Sequence, residues 1–317
     1  MANIVTLTLS PALNIASCIP RLCPDAKLRC DKPSYAPGGG GINVARAIHK
    51  LGGSALALFP CGGPSGQRLV ELLAAEGVAC QALPIAEWTR ECLNIVEQAS
   101  ARQYRFVMPG ASLSVAEQAQ LLTALAELPA FDYLVISGSM PAGLAADFLP
   151  RLLRCAKQRN ARCILDSAGA TLRQGLDVGG LLLIKPNLNE LAALAGVAIR
   201  EPEQLNRIAR DLVAEGRCEA LLVSLGAEGA LLANADRLER IAAPRVSKLS
   251  AVGAGDSLLG AVTLKLAAGA DWLEAAQYGI AAGSAAIMTE GTELCGRADT
   301  ERLFAQLRAR PNGGAPD

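Results

Sequence analysis

The sequence predicts an α/β protein whose central sheet is mostly parallel and covered by helices on both faces. Two observations carry that prediction. From residue 114 onward, segments with helical apolar spacing alternate with short apolar runs, the pattern of successive strand–helix units. In addition, glycine-rich turns near residues 38 and 253 lead straight into helical segments, and other polar candidates stand just after predicted strands. With 317 residues and 51% apolar composition, the chain has ample material for a large core. We expect residues 1–310 to form a single domain, followed by a disordered tail from Pro311 to Asp317.

Ile4 to Leu9 reads as a buried first strand that Pro11 ends, with Asn14 just beyond it. Prolines at 20, 24 and 33 interrupt residues 12–36, which read as an excursion from the main sheet with short strands of its own. Gly38 to Gly41 then run into a helix marked by Val44, Ala47, Ile48 and Leu51, and Gly52-Gly53 stops it. Ser54 to Pro60 gives a second core strand, and Ser65 to Glu76 a helix. Short strands at Val78–Pro84, Leu93–Glu97 and Tyr104–Val107 read as a second excursion spanning 78–108. Beyond it come helix 114–128, strand Tyr133–Ser137, helix 144–159, strand Cys163–Asp166 and strand Leu181–Ile184. Helix 203–215, strand Ala220–Ser224, short strands between 228 and 246, and helices at 271–289 and 299–309 complete the chain.

Bulk properties exclude several classes of function. Thirty basic residues balance thirty acidic ones and aromatics are 3%, so neither a basic surface nor stacking rings for nucleic acid is present. No apolar run approaches the roughly 18 residues of a membrane helix. The N-terminus lacks a basic stretch before its apolar run, which argues against a signal peptide and for a cytoplasmic protein. The ten cysteines form no Cys-x-x-Cys pair and read as buried thiols. His49 is the single histidine and lies beside Arg46 and Lys50 on a predicted helix, where a solvated face is expected. A general base is therefore expected to be a carboxylate.

Ser250-Ala251-Val252-Gly253-Ala254-Gly255-Asp256-Ser257 is the stretch on which the rest converges. A Gly-Ala-Gly turn opening a helix leaves backbone N–H groups unpaired at the positive end of the helix dipole, a site for an anion such as phosphate. A carboxylate at that point, Asp256, is out of place unless it removes a proton from the group attacking the phosphorus. In Lys185-Pro186-Asn187-Leu188-Asn189-Glu190, Asn187 and Glu190 share one helix face; they either hold Mg²⁺ or cap the helix, and both roles are compatible. Lys27, Arg90 and Arg105 are ordinary surface residues singly; together they would clamp a phosphorylated substrate. The glycine run fails as a dinucleotide fingerprint because Asn43 occupies the last glycine position counted from Gly38.

With these motifs in place, the sequence resembles the ribokinase-like, PfkB-type carbohydrate kinases along essentially its whole length. Lys27 to Cys30, Gly38 to Ile48, Tyr104 to Gly110 and Val252 to Ser257 carry the likeness nearly residue for residue toward the members that act on fructose 6-phosphate. The resemblance implies a ribokinase-like three-layer sandwich with a small β lid made from the two excursions. It implies ATP-dependent phosphorylation of the C1 hydroxyl, with tagatose 6-phosphate and fructose 1-phosphate as alternative substrates. A catalytically silent sensor of nucleotide or sugar phosphate is the rival of another class. At matching positions it implies Asp256 as the base, and Gly253, Ala254 and Gly255 as donors to the transferring phosphoryl group. Lys185, Asn187, Ser224, Gly226, Gly229 and Ser284 would line ATP, and Glu190 would organise Mg²⁺. Gly39, Asn43 and Asn14 would meet the sugar hydroxyls, with Lys27, Arg90, Arg105 and Ser139 around the sugar phosphate. Ser250, Val252, Ala286 and Gly291 match a monovalent cation (K⁺) site, where Glu293 departs from the arginine expected. Asn14 departs as well, since the family has aspartate there. A homodimer joined through the lid is also implied.

Overall fold

The computed structural model describes residues 3–250, 252–289, 291 and 293–309; the tail from Pro311 lies outside the described residues. In chain order the strands are β1 (Ile4–Leu7), β2 (Ala12–Ile19), β3 (Ser34–Gly38), β4 (Leu56–Cys61), β5 (Cys80–Pro84), β6 (Arg90–Glu97) and β7 (Arg102–Val107). They continue with β8 (Tyr133–Ser137), β9 (Arg162–Asp166), β10 (Leu181–Ile184), β11 (Cys218–Ser224), β12 (Ala230–Asn234) and β13 (Leu238–Ile241). The helices are α1 (Gly40–Lys50), α2 (Gly63–Ala75), α3 (Val115–Glu127), α4 (Phe148–Gln158) and α5 (Gly169–Val178), then α6 (Leu188–Ala195), α7 (Pro202–Ala214), α8 (Ala254–Ala267), α9 (Trp272–Ala286) and α10 (Arg297–Ala309).

Nine strands form the main sheet in the order β13-β12-β11-β10-β9-β8-β1-β4-β5. Seven of them, β5 through β11 in that row, are parallel, and the β12–β13 hairpin closes one edge antiparallel. Side chains alternate across the pleat. Ile4, Tyr133 and Val135 join the core beneath α1, α8, α9 and α10, while Val5, Leu7, Leu134 and Ile136 join the core beneath α3, α4, α5 and α7. Each fully buried aliphatic side chain is worth about 1.5–3 kcal/mol of transfer free energy, so two continuous cores hold the three layers together. The expected α/β sandwich is the observed one.

A second, four-stranded sheet has the order β3-β2-β6-β7. β2 leaves the end of β1 after four residues, pairs antiparallel with β3 and runs parallel to β6 from Ala12↔Arg90 to Ile19↔Glu97. The two excursions do meet in one small sheet, with one correction to their limits. Residues 80–84 are no part of the lid: β5 pairs with β4 in parallel register and forms the other edge of the main sheet. Its three-layer placement follows from the helix α2 between β4 and β5, which makes an ordinary crossover. α5 was not foreseen; Leu172 and Leu176 are its one buried pair of large apolar side chains, with Val178 at its end exposed.

Helices α8 and α9 set the depth of the site. α9 presents Gly279 and Gly283 to α8, where an added Cβ on Gly279 would stand 2.4 Å from Val262 Cγ2 and one on Gly283 3.2 Å from the Ala254 carbonyl. Close approach of small residues thus draws the first turn of α8 down beside Ser284 and the sheet edge.

Candidate active site

The N-terminus of α8 rests on Gly253, whose φ of 77° lies in the left-handed region that favours glycine. No side chain caps this helix, so the N–H groups of Ala254, Gly255 and Asp256 lack intrahelical partners. Asp256 in this first turn is half-buried. Desolvation pushes its carboxyl up to about 6, with the nearby negative charge of Asp166 adding to the rise. An Asn43 hydrogen bond and the charges of Lys185 and Arg105 pull the other way.

Asn43 reaches that carboxylate from α1, which packs beside α8 on the same face of the sheet. Its Nδ2 donates to Asp256 Oδ2 at 2.8 Å. α1 starts where it does because Gly39, at φ 117°, turns the chain and Thr8 Oγ1 accepts from the Ile42 N–H at 2.7 Å. Gly40 lies hard against the end of β8: a Cβ there would fall 2.4 Å from Ser137 Oγ and 2.6 Å from the Gly138 nitrogen. The glycine run is thus a packing requirement of bringing Asn43 to Asp256.

The strand ends supply the floor. Asp166, last residue of β9, pairs with Lys185 just after β10 at 3.1 Å and accepts from Ser137 Oγ at 3.2 Å. Burial pulls the Lys185 ammonium down, but Asp166, Asp256 and Glu190 together outweigh it and the net shift is upward. Lys185 therefore stays charged beside the α8 turn; a Cβ on Gly255 would stand 3.5 Å from its Nζ. Asn187 and Glu190 form a capping box on α6: Asn187 Oδ1 accepts from the Glu190 N–H at 2.9 Å and Glu190 Oε2 from the Asn187 N–H at 2.8 Å. Asn187 also bridges to Ser224, after which Gly226 (φ 64°) and Gly229 (φ 104°) bend the chain back. Ser284 is buried on α9. Asp166 was not among the residues singled out from the sequence; its position at the carboxyl end of a parallel strand was the available signal.

The lid side is looser. Asn14 on β2 lies over Gly38, whose Cβ would meet its Nδ2 at 2.4 Å. Arg90 Nη1 donates to the Met108 carbonyl (3.0 Å), and Nη2 to the Ser10 carbonyl (3.1 Å) and Ser139 Oγ (3.4 Å). Its Nε is buried without a partner among the described residues. Arg105 on β7 is exposed, and only its charge reaches Asp256. Lys27 is exposed on the loop between β2 and β3, apart from the hydrogen bonds that join the centre.

Ser250 Oγ donates to the Gly291 carbonyl at 2.8 Å and accepts from the Val252 N–H at 3.2 Å, while the Ala286 carbonyl accepts from Thr289 Oγ1 at 2.7 Å. These residues form one loop cluster behind the α8 turn. Glu293 beside it pairs with Lys50 at 3.3 Å. Among the described residues no group of three or more His, Cys, Asp or Glu is gathered to hold a metal, and no helix is long and apolar enough to cross a membrane. Four cysteines are buried, but Cys23 and Cys30 are exposed, which corrects the expectation of buried thiols throughout. His49 is exposed as expected; Arg46, expected beside it on a solvated face, is buried.

A model described as pfkB family carbohydrate kinase matches residues 14–299. The ATP-dependent 6-phosphofructokinase isozyme 2 of Escherichia coli strain K12 is 45% identical over 307 residues, covering 97% of this chain and 99% of that protein. The phosphofructokinase-2 of Escherichia coli solved in complex with fructose-6-phosphate superposes with a TM-score of 0.93 at 44% identity, covering 97% of this chain and 100% of that one. In complex with potassium, the same enzyme gives a TM-score of 0.95 at 45% identity, with the same coverage.

Proposed function

Because the chain belongs to the pfkB family of carbohydrate kinases, we propose that it is an ATP-dependent 6-phosphofructokinase. On this reading it moves the γ-phosphoryl group of ATP to the C1 hydroxyl of fructose 6-phosphate and releases fructose 1,6-bisphosphate and ADP. The observation that carries the reading is an ionisable carboxylate, Asp256, set on an uncapped helix N-terminus and held through one oxygen by Asn43.

The chemistry follows from that arrangement. Asn43 occupies Oδ2 and leaves Oδ1 for the C1 hydroxyl. As the hydroxyl oxygen forms its bond to the γ-phosphorus, Asp256 takes the proton and the bond to the β–γ bridging oxygen breaks. A base that titrates near 6 is ionised at neutral pH yet basic enough to accept, which typically gives about 10²–10⁴-fold. The free N–H groups of Ala254, Gly255 and Asp256 meet the negative charge of the phosphoryl oxygens, and Lys185 beside Gly255 adds a fixed positive charge.

Lys185, Asn187, Ser224, Gly226, Gly229 and Ser284 are assigned to the nucleotide on this reading. Mg²⁺ takes one or two carboxylates with water and phosphate oxygens, and Glu190, whose Oε2 caps α6 and whose charge reaches Lys185, would hold it; when bound it neutralises phosphate charge. The buried, unpaired Nε of Arg90 supports a phosphate between the lid and Ser139, with Arg105 and Lys27 closing over it from the lid. Gly39, Asn43 and Asn14 are left for the sugar hydroxyls. Carbonyls of Ala286 and Gly291 with Ser250 and Val252 would take K⁺ on this reading, and the potassium complex of the relative supports K⁺ as the kind of cation. Tyr35 and Phe106 are 44% and 42% exposed on the lid strands, and we assign this apolar face to a second copy of the chain. Residues 1–310 act as one domain in this reading, working in the cytoplasm.

The test is ADP release with Mg-ATP and each of fructose 6-phosphate, tagatose 6-phosphate, fructose 1-phosphate and fructose. Fastest turnover on fructose 6-phosphate supports the proposal. Preference for another sugar phosphate moves the substrate within the family, and no ADP with any of them overturns the kinase reading in favour of a sensor.

A further inference from the structure

Arg46 lies one turn after Asn43 on α1 and is 4% exposed. A long cationic side chain on a helix ordinarily carries its charge out to water. Here the guanidinium turns inward. Its Nε and Nη2 donate to Glu76 Oε2 and Oε1, each at 2.7 Å, and Nη1 donates to the Pro37 carbonyl at 3.1 Å and to Asn43 Oδ1 at 3.3 Å. Burying a charge is costly unless it is paired and its donors are used; the two-pronged pairing with Glu76 meets that condition and fixes the plane of the group.

The contact to Asn43 decides which way round its amide sits. The oxygen and nitrogen ends of a carboxamide are nearly the same size, and rotation by half a turn exchanges them. With Arg46 donating to Oδ1, the Nδ2 end must face Asp256, where it donates at 2.8 Å. The flipped amide would set donor against donor at Arg46 and acceptor against acceptor at Asp256. The chain Glu76–Arg46–Asn43–Asp256 is continuous, and none of its links is used by the mechanism above except the last.

We propose that Arg46, clamped by Glu76, is a positioning residue that fixes the orientation of the Asn43 amide and thereby the oxygen that Asp256 offers to the incoming hydroxyl. The Pro37 contact ties the same guanidinium to lid strand β3, one residue before the glycine under Asn14, so the base and the lid share one anchor. The kinetic part of this inference rests on the kinase reading; the amide orientation does not. The charged groups that face Asp256 are Asp166 from β9, Lys185 after β10 and Arg105 from β7, and all three remain when Arg46 is replaced. A freed amide can turn its oxygen to a protonated Asp256, so losing Arg46 favours the protonated base and moves the acid limb of the rate profile to higher pH.

The test is a double-mutant cycle of Arg46→Met and Asn43→Ala, with thermal melts to establish folding. Arg46→Met is expected to lower kcat about 10-fold or more with the KM for ATP within about 3-fold, and to raise the acid limb of kcat. In the Asn43→Ala background the same substitution should change kcat by less than about 2-fold, because its target is gone. Equal losses in both backgrounds, or an unmoved acid limb, overturn the proposal. Should Arg46→Met not fold, Glu76→Gln replaces it in the same cycle: the Glu76 side chain is 32% exposed, and an amide keeps one acceptor for the guanidinium while setting an NH2 against its second donor, which breaks the two-pronged clamp. An activity-independent readout is hydrogen exchange of the Asn43 side-chain amide in the uncomplexed protein, identified by its loss in Asn43→Ala. Faster exchange in Arg46→Met supports positioning, and unchanged exchange refutes it. If the unmodified protein makes no ADP from any sugar phosphate, the kinase reading fails by itself and this exchange measurement decides the inference.

Discussion

Asp256→Asn is expected to remove turnover and at the same time to stabilise the fold. The carboxyl titrates at about 6 in the folded chain against 3.8 as its ordinary value, and desolvation is the largest cause. A difference of roughly two units is worth ~3 kcal/mol, and partial solvation through the cleft reduces this to ~1.5–3 kcal/mol. The sign is fixed by proton uptake. Between pH 4 and 6 the folded chain holds this proton more tightly than the unfolded one, so wild-type stability falls as pH rises, and above about 6 the full penalty is present. An asparagine carries no charge to desolvate, and its carbonyl still accepts from Asn43 Nδ2. At ~2.1 cal/mol/K per residue, the 317-residue chain loses ~0.7 kcal/mol per kelvin at its midpoint, so Tm should rise by ~2–4 °C at pH 8 and by about half that at pH 5. Melting curves at both pH values, alongside ADP release at pH 8, provide the assay. A gain that fails to grow between pH 5 and pH 8 would refute the argument that the buried charge is the cost; near-normal turnover would refute Asp256 as the base.

Two further substitutions probe the turn and the lid. Gly253→Ala places a side chain at φ 77° with its Cβ 2.4 Å from Leu294 Cδ2, and should cost ~1–3 kcal/mol in a denaturation experiment while cutting kcat as the α8 N–H groups shift. Asn14→Asp should lower the KM for the sugar phosphate, because a carboxylate is the stronger acceptor for hydroxyl groups; an unchanged or raised KM contradicts the role given to this position.

Strands Tyr133–Ser137 and Leu181–Ile184 appear with the limits read from the sequence, since each is an apolar run with a polar or glycine boundary. The cluster at Gly253–Asp256, Asn43 and Lys185 was legible for a related reason: each lies just past a strand or at a helix start, where a parallel sheet leaves backbone groups free. Residues 78–84 were misplaced because a short strand of small and mixed residues, with Val78 alone β-branched, gives no sign of which sheet it joins; that is settled by the crossover α2. Arg46 was misread because helical spacing sets it next to His49 and Lys50, and nothing local announces that Glu76, thirty residues on, will bury it. Asp166 was passed over as the end of a strand, although a carboxylate at that end is itself a mark of the site. Lys27 and Arg105 remain on the exposed lid, so their part in holding a phosphate depends on closure that the sequence alone does not describe.

The hydrogen bond between Asn43 and Asp256 spans 213 positions of the chain. During synthesis at about 5–20 residues per second, α1 leaves the ribosome roughly 10–40 s before its partner helix α8 exists. Through that interval the apolar face of α1, with Ile42, Val44 and Ile48, has only one side of its core to lean on. A chain stalled just before residue 256 would carry the whole lid and all nine strands of the main sheet, yet expose that face. It is a natural client for a chaperone, and the complete centre appears only when nearly all of the protein has been made.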